Sequence, residues 1–336
     1  MKTIKLMVVA ALVCVAAGCR TGDALSLWTD GAASKRAIEE YVAAVTDESS
    51  PDFIPPERRI AVFDLDGTLF CETNPTYFDW QLFERRVLDD PSCTASERLK
   101  TAARNSREKG VYPPLGNERE RMTAEAYKDV SIEELKAMIR KFADEPEPHY
   151  PGMKRGGMFY LPMVQLVEYL VERGFAVYVV SGSERFIVRT LVCGRLPVPP
   201  WRVIGSDYTI VSKTQNGEDG LFYVFGQNDV PILDGTQIVK NLQMNKVSAL
   251  IREIGVKPVL SFGNSHTDAG MANYVIGGNE YRAAAFMVVC DDMKRENGNP
   301  KKAEEMKAEC EKFGWIPISM RDDWKNIYAA SPLVVK

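Results

Sequence analysis

Two carboxylates, Asp64 and Asp66, stand two positions apart at the end of an apolar run that starts at residue 60, and Gly67 follows them. Side chains two positions apart on an extended chain point to the same side. Carboxylates that lie this close repel each other unless a cation or a shared proton relieves the repulsion. The pattern therefore predicts a hard divalent cation bound through oxygen.

Polar side chains also follow two later apolar runs. Ser181 follows residues 176–180, and Asn264 and Asp268 follow residues 258–262. In open α/β sheets, ligands bind beyond the carboxyl ends of the strands. We therefore expect these side chains to lie near the two carboxylates.

The elements that would position these residues alternate along the chain. Short runs rich in Val, Ile and Phe predict parallel strands that are buried on both faces. Amphipathic stretches between them predict helices, each closed by a glycine. The alternation predicts an α/β fold with a doubly wound, Rossmann-like parallel sheet. The predicted strands are 60–64, 176–180, 202–204, 258–262 and 284–290, and the predicted helices are 161–173, 184–192 and 246–254.

Two insertions interrupt this alternation. Residues 72–157 are charged and helix-prone, with predicted helices at 78–88, 94–109 and 131–143, which indicates a helical cap inserted after the first strand. Residues 206–236 contain two β-rich runs around a glycine-rich turn, which predicts a hairpin after the third strand. The catalytic core would then comprise residues 34–71 and 158–336.

The segment from Ile60 to Phe70 resembles the first motif of the haloacid dehalogenase superfamily, in which hydrophobic residues precede Asp-x-Asp-Gly-Thr. The resemblance implies a Mg²⁺-dependent phosphatase in which Asp64 is the nucleophile and forms an aspartyl phosphate. It also implies that Asp66 protonates the leaving group and then activates water. Asp64 and the backbone carbonyl of Asp66 would contact the metal.

Three further motifs occur in the order that this family uses. Ser181 matches the phosphate-binding hydroxyl of the second motif, and Lys246, ahead of a predicted helix, matches the cation of the third. Lys240 and Lys213 are alternatives for that cation. Residues 261–271 resemble the acidic fourth motif, but Asn264 replaces its first aspartate. This replacement leaves Asn264 as a neutral or water-mediated ligand and predicts that Asp268 makes the direct metal contact.

The first residues of the cap suggest a substrate. Glu72, Tyr77, Phe78 and Trp80 combine an acid with three aromatic rings, which could surround a cationic group such as choline. The chain is in this respect loosely similar to phosphorylcholine phosphatases, although aromatic residues at helical spacing more often form core. We expect a small phosphomonoester substrate. Thr68 and Gly182 complete the predicted substrate-binding set, and His266 is expected to be a polar residue near the site mouth.

The N-terminus predicts export. Lys2 and Lys5 precede an apolar run, residues 6–18, that is too short to span a bilayer but suits a signal peptide. The run ends at Cys19 in a sequence that resembles the bacterial lipoprotein cleavage box, so residues 1–19 would be a signal peptide and residues 20–33 a tether. We therefore expect a lipoprotein on the periplasmic side or the cell surface, in contact with the membrane only through its lipid anchor.

Composition adds two expectations. The net charge of −4 comes from mixed acidic and basic residues, which gives no reason to expect a nucleic-acid partner. The cysteines are scattered and lack Cys-x-x-Cys spacing, which argues against a disulfide framework.

Two other functions share the same motifs. A phosphotransferase or phosphomutase would use Asp64 and Asp66 to pass the phosphoryl group to a second substrate. Alternatively, the chain would be a ligand-binding lipoprotein without catalysis, a reading that only the replacement at Asn264 favours.

Overall fold

A single sheet organises the fold in the computed structural model, which describes residues 23–72, 76–114 and 116–329. Seven strands occur in this part of the chain. They are β1 (Ile60–Phe63), β2 (Ala176–Glu184), β3 (Val203–Ser212), β4 (Pro231–Val239), β5 (Leu260–Gly263), β6 (Ala284–Val289) and β7 (Ile316–Ser319). Their order across the sheet is β4-β3-β2-β1-β5-β6-β7.

The chain winds outward from β1 in both directions, which confirms the predicted doubly wound sheet. All neighbouring strands are parallel except β3 and β4, which pair antiparallel. Phe63 at the end of β1 pairs with Val179 on one side and with Phe262 on the other. The three central strands therefore run toward the same edge of the sheet, where β1 and β5 end near this level and β2 continues to Glu184.

Ten α-helices accompany the sheet within the described residues. They are α1 (Ala33–Thr46), α2 (Phe78–Asp89), α3 (Glu97–Lys109), α4 (Asn117–Ala126), α5 (Ile132–Ala143), α6 (Leu161–Glu172), α7 (Arg185–Val192), α8 (Met244–Ala249), α9 (Ala269–Ile276) and α10 (Pro300–Phe313). A π-helical turn, Leu250–Ile254, continues α8.

The central strand is buried on both faces, as parallel strands between helices are. Ala61 and Phe63 belong to the main apolar core, whereas Val62 packs with Leu250 and Met271 on the other face. This alternation follows from the two-residue period of a strand. The same alternation determines the face of the sheet toward which the side chains after Phe63 point.

The four helices α2 to α5 lie between β1 and β2 in sequence, where a helical insertion was predicted. Helices α2, α3 and α4 share a separate apolar cluster that includes Trp80, Phe83 and Leu99, whereas the buried residues of α5 belong to the main core. Two backbone hydrogen bonds also join the insertion to β4, from Asp129 to Leu233 and from Leu233 to Val130. The domain boundaries remain a prediction.

The hairpin prediction is confirmed with one difference. β3 and β4 form the antiparallel pair, but β3 is itself the third strand of the sheet and continues to Ser212 instead of ending near residue 204. β2 likewise continues past its predicted end at residue 180 to Glu184, with a register irregularity on the way. Ser181 therefore lies inside the strand and not directly after it.

Helices long and apolar enough to cross a membrane are absent from the part of the chain that the structure describes. Of the five cysteines within it, residues 93, 193, 290 and 310 are free thiols, and the thiol of Cys71 donates a hydrogen bond to Oε1 of Glu296 at 3.5 Å. The predicted signal peptide and lipidation site, residues 1–19 with Cys19, lie outside the described residues.

Candidate active site

Asp64, the predicted nucleophile, lines a cavity of about 250 Å³ beyond the carboxyl edge of the sheet. Asp64 follows β1 directly, and its backbone amide donates to the carbonyl of Phe262 at 2.9 Å, which extends the β1–β5 pairing. Its side chain is only 6% exposed. Burial, together with the nearby charge of Asp268, raises the pKa of the Asp64 carboxyl well above its usual range. The cavity wall contains Asp64, Asp66, Glu72, Tyr77, Asp79, Arg119, Gly182, Ser183, Lys240, Leu242, Asn264, Ser265 and Thr267.

Lys246 is the cation that lies against Asp64. Its ammonium nitrogen is fully buried, 2.5 Å from Oδ1 of Asp64 and 2.6 Å from Oδ1 of Asp268. Burial alone would lower the pKa of Lys246, but the two carboxylates outweigh burial and raise it above its usual value. Lys246 is therefore charged, and the site holds a fixed positive charge beside the predicted nucleophile.

The two alternative lysines lie elsewhere. Lys240 lines the cavity wall, where its ammonium nitrogen lies 3.1 Å from Oε2 of Glu120 in the helical insertion. Lys213 is exposed after β3 in the hairpin connection. Of the three candidates, the structure places only Lys246 in contact with Asp64.

Asp268 uses both of its carboxylate oxygens within the protein. Oδ1 accepts from Lys246, and Oδ2 accepts the backbone amides of Asn264 and Ser265, each at 3.1 Å. A Cβ atom at Gly263 would lie 2.6 Å from Cβ of Asp268, so this close approach requires the glycine. The geometry indicates a carboxylate that positions Lys246. The direct metal contact of Asp268 remains a prediction, and its oxygens are already engaged.

Asp66 has the surroundings of a proton donor. Its Oδ2 accepts the hydroxyl of Ser183 at 2.7 Å and lies 3.5 Å from the hydroxyl of Ser181. Burial, and then the charge of Asp79, raises the pKa of Asp66 to about 7, although the Ser183 hydrogen bond opposes this shift. A carboxyl group with such a pKa can both give and take a proton near neutrality.

Two of the predicted substrate contacts lie outside the cavity wall. Ser181 is fully buried, and its Oγ accepts the backbone amide of Ser183. Thr68 is also fully buried. Gly182, which was also predicted, lines the cavity, and so does Ser183. Ser183 was missed, although the two-residue period of β2 puts it on the same side as Ser181.

The oxygen donors around Asp64 suit Mg²⁺. The Asp64 carboxylate, the Asp66 carbonyl and the Asn264 amide would offer only oxygen, which this hard cation prefers. Among the described residues there is no group of three or more His, Cys, Asp or Glu side chains arranged as a metal-binding cluster. This finding is compatible with Mg²⁺, which usually binds through one or two carboxylates and keeps several waters.

Asn264 contacts an acid from the other side of the cavity. Its Nδ2 donates to Oε2 of Glu72 at 3.1 Å. Gly67 lies close to both residues: a Cβ atom there would lie 1.9 Å from Nδ2 of Asn264 and 3.0 Å from Oε2 of Glu72. The backbone of Gly67 also has a φ of +84°, a conformation that glycine adopts without strain.

The three aromatic rings considered for a cationic substrate separate in the structure. Only Tyr77 lines the cavity, and its hydroxyl donates to Oε1 of Glu72 at 2.7 Å. Phe78 is buried in the main core and Trp80 in the cluster of the insertion, where the guanidinium of Arg119 lies 4.8 Å from the Trp80 ring centre. These rings therefore do not enclose the cavity together.

His266 stays apart from the chemistry. Its side chain is 69% exposed, and Nδ1 lies 3.1 Å from Oε1 of Glu309. Its neighbours Ser265 and Thr267 line the cavity and His266 does not, so its place near the site mouth stays a prediction.

Comparison with known proteins places this fold and site in a family. The family model of the haloacid dehalogenase-like hydrolases matches residues 61–273, which span Asp64, Asp66, Lys246 and Asp268. Because the match covers more than half of the chain, the chain belongs to the haloacid dehalogenase-like hydrolases. A search of curated proteins gives no significant match.

Three solved structures resemble the chain, and the one with a TM-score above 0.5 agrees with it at the level of the fold. A protein from Anaerococcus prevotii described as functionally unknown has 12% identity and a TM-score of 0.51, with 84% of this chain and 91% of that chain covered. A protein of unknown function from Bordetella pertussis has 16% identity and a TM-score of 0.49, with coverages of 78% and 98%. A cytosolic 5'-nucleotidase IIIB bound to cytidine has 14% identity and a TM-score of 0.49, with 87% of each chain covered.

Proposed function

We propose that this hydrolase is a Mg²⁺-dependent phosphomonoesterase that acts through an aspartyl phosphate on Asp64. The observation that carries the proposal is that Asp64 and Asp66 line the same cavity, while the buried Lys246, which does not line it, contacts the Asp64 carboxylate. A nucleophile beside a fixed cation and a proton donor is the set of groups that phosphoryl transfer requires.

The two chemical steps use these groups in turn. A carboxylate oxygen of Asp64 attacks phosphorus, the bond from phosphorus to the ester oxygen breaks, and Asp66 gives its proton to the departing alkoxide. Asp66 then takes a proton from water, whose oxygen attacks phosphorus and displaces the Asp64 carboxylate. The products are an alcohol and inorganic phosphate.

Ser183 on the cavity wall would bind a phosphoryl oxygen, and Lys246, which is buried and does not line the cavity, would act on the phosphoryl oxygens through its charge. Lys246 would stabilise the negative charge that spreads over these oxygens, because its ammonium group is already in place before substrate binds. The Ser183 hydroxyl on the cavity wall would donate a hydrogen bond, in the role first assigned to Ser181. Asp268 would hold Lys246 in position.

Asp64, the backbone carbonyl of Asp66 and Asn264 would hold the magnesium ion. When bound, the ion would reduce the repulsion between the Asp64 carboxylate and the phosphate and would stabilise charge on the phosphoryl oxygens. The chain itself contributes the oxygen donors of Asp64, Asp66 and Asn264.

Small substrates fit the cavity best. A volume of about 250 Å³ lies below the usual range for drug-sized ligands. The insertion supplies Tyr77, Asp79 and Arg119 to the wall. The leaving group would therefore meet both a carboxyl group and a guanidinium there. The substrate would therefore be a small organic phosphomonoester, whereas a phosphoprotein would be a poor substrate.

We also propose that the chain is exported and lipidated on Cys19, on the basis of the N-terminal pattern. Expression of the full chain and of Cys19→Ser, followed by separation of membrane and soluble fractions, tests this. The parent chain should be found with the membrane and the variant should not; equal membrane association of both would contradict lipidation.

Phosphate release tests the enzymatic proposal. The parent chain is assayed against a panel of small phosphomonoesters, with Mg²⁺ and with EDTA, beside Asp64→Asn and the control Asp144→Asn, which changes an exposed aspartate of the insertion. We expect Mg²⁺-dependent release by the parent and the control only. Labelled substrate should yield free phosphate, whereas label on a second organic product would favour a phosphotransferase. Equal activity of Asp64→Asn would refute the proposal.

A further inference from the structure

Glu72 is an acid of the cavity wall for which the proposed mechanism has no role. It is 8% exposed, and its Oε2 accepts Nδ2 of Asn264 at 3.1 Å. Tyr77 donates to the other carboxylate oxygen at 2.7 Å. Glu72 follows β1, whereas Asn264 follows β5, so the contact joins the two strand ends that flank the proposed metal site.

The charges around that site otherwise cancel in part. The carboxylates of Asp64 and Asp268 share the one buried cation of Lys246, and Asn264 is neutral. A divalent cation bound by Asp64 and Asn264 would therefore meet one net negative charge from these groups. Glu72 is the acid that contacts the side-chain amide of Asn264.

The hydrogen bond also decides how the Asn264 amide is turned. An ionised carboxylate only accepts hydrogen bonds, so it selects the NH₂ end of the amide and leaves the oxygen for another partner. Partners of this kind, which orient a ligand without touching the metal, typically change metal affinity by about 10- to 100-fold when they are removed.

We propose that Glu72 is a positioning residue for the metal site: it turns the oxygen of Asn264 toward bound Mg²⁺ and supplies the negative charge that Asn264 lacks. This inference rests on the proposed function and on the residues named there as Mg²⁺ ligands.

A purely structural role for Glu72 makes a different prediction. The ammonium nitrogen of Lys302 lies 3.3 Å from Oε1 of Glu72, and the Lys302 side chain is 47% exposed. If the acid served only to anchor Lys302 of α10, loss of either partner would have the same effect. If its charge acts on the metal, removal of the opposing cation would strengthen Mg²⁺ binding or leave it unchanged.

Calorimetric titration of the full chain with Mg²⁺ separates these roles. Glu72→Gln keeps an acceptor but removes the charge, Glu72→Ala removes both, Lys302→Gln removes the cation, and the double variant Glu72→Gln with Asn264→Asp exchanges acid and amide. We expect Glu72→Gln to bind Mg²⁺ about 10-fold more weakly and Glu72→Ala up to about 100-fold more weakly. Lys302→Gln should bind at least as tightly as the parent, and the double variant should bind more tightly than Glu72→Gln alone.

Three results would overturn the inference. The first is parent-like Mg²⁺ affinity in both Glu72 variants, the second is equal loss in Glu72→Gln and Lys302→Gln, and the third is a double variant weaker than Glu72→Gln. Urea unfolding in EDTA identifies a variant that fails to fold, and in that case the isosteric Glu72→Gln decides. If the parent binds Mg²⁺ and releases phosphate while these results occur, only this inference fails. A parent that does neither refutes the proposed function as well.

Discussion

The ammonium nitrogen of Lys246 lies 2.6 Å from Oδ1 of Asp268 and 2.5 Å from Oδ1 of Asp64, so one buried cation joins carboxylates that follow different strands. Asp268 in turn accepts two backbone amides with its other oxygen. The positive charge beside the nucleophile is therefore held in place by the fold before substrate binds, which is the condition for electrostatic stabilisation without reorganisation.

Asp268→Asn tests whether Asp268 acts on Lys246 or on the metal. Lys246 keeps Asp64 as its ionic partner in this variant, but the hydrogen bonds of residue 268 to Lys246 and to two backbone amides are weakened or lost. We therefore expect the free energy of unfolding to fall by about 1–3 kcal/mol. Mg²⁺ affinity should change little, because both oxygens of Asp268 are engaged by protein groups. Urea unfolding and Mg²⁺ titration measure the two effects. Asn264→Ala should show the reverse pattern, and a Mg²⁺ loss in Asp268→Asn without loss of stability would make Asp268 a metal ligand.

Asp66→Ala should lower phosphate release by about 10²- to 10⁴-fold, the usual cost of a lost acid or base. The loss should depend on the leaving group. An alkyl phosphate needs a proton on its departing oxygen, whereas a nitrophenyl phosphate leaves as a stable anion and should suffer less in the first step. Rates for both substrates measure the difference. An equal loss for both, with normal Mg²⁺ affinity, would assign Asp66 a role other than acid in the first step.

Gly67→Ala should damage the site through shape alone. The added Cβ atom would lie 1.9 Å from Nδ2 of Asn264, at a backbone φ of +84°. Strain of this kind costs on the order of 1–3 kcal/mol, and the displaced Asn264 should weaken Mg²⁺ binding. Gly31→Ala is the matched control, since Gly31 has a φ of +76° but its added Cβ atom would have no neighbour within 4 Å. Equal effects on Mg²⁺ binding in the two variants would contradict the steric explanation.

The central sheet could be predicted because its strands are short apolar runs closed by turn residues. β1, β5 and β6 lie close to the predicted ranges. β7 was not predicted, since Pro317 interrupts its four residues and such a proline usually argues against a strand. α4 was not predicted either, because its charged sequence has little apolar periodicity.

The site, like the fold, has one part that could be predicted from the sequence and one part that could not. Convergence of Asp64, Asp66 and Asn264 follows from the rule for strand ends, so the sequence was sufficient for it. The contact between Glu72 and Asn264 depends on the path of the chain after Gly67, which has no periodic signal. Ser183 lines the cavity wall instead of the predicted Ser181, and this depends on where the register between β2 and β3 shifts.

Glu184 gives the protein a pH-dependent stability that is separate from the chemistry. It caps α7, where its Oε2 accepts the backbone amides of Phe186 and Ile187 at 2.9 and 3.0 Å. Burial raises the pKa of this carboxyl from 4.5 to about 7, although the two amides oppose the shift. The folded state therefore binds the proton more tightly than the unfolded state does.

Glu184 stabilises the folded state more at low pH than at high pH. The stabilisation from Glu184 is fully present below about pH 4.5 and is lost as the pH rises through about 7, by about 3 kcal/mol in all. Urea unfolding of the parent and of Glu184→Gln between pH 4 and pH 8 measures it. The glutamine keeps an oxygen for the cap but cannot ionise, so its unfolding free energy should fall less over this interval. If the unfolding free energies of the two proteins changed equally with pH, ionisation of Glu184 would not destabilise the folded state. Burial would then not control the charge of this residue.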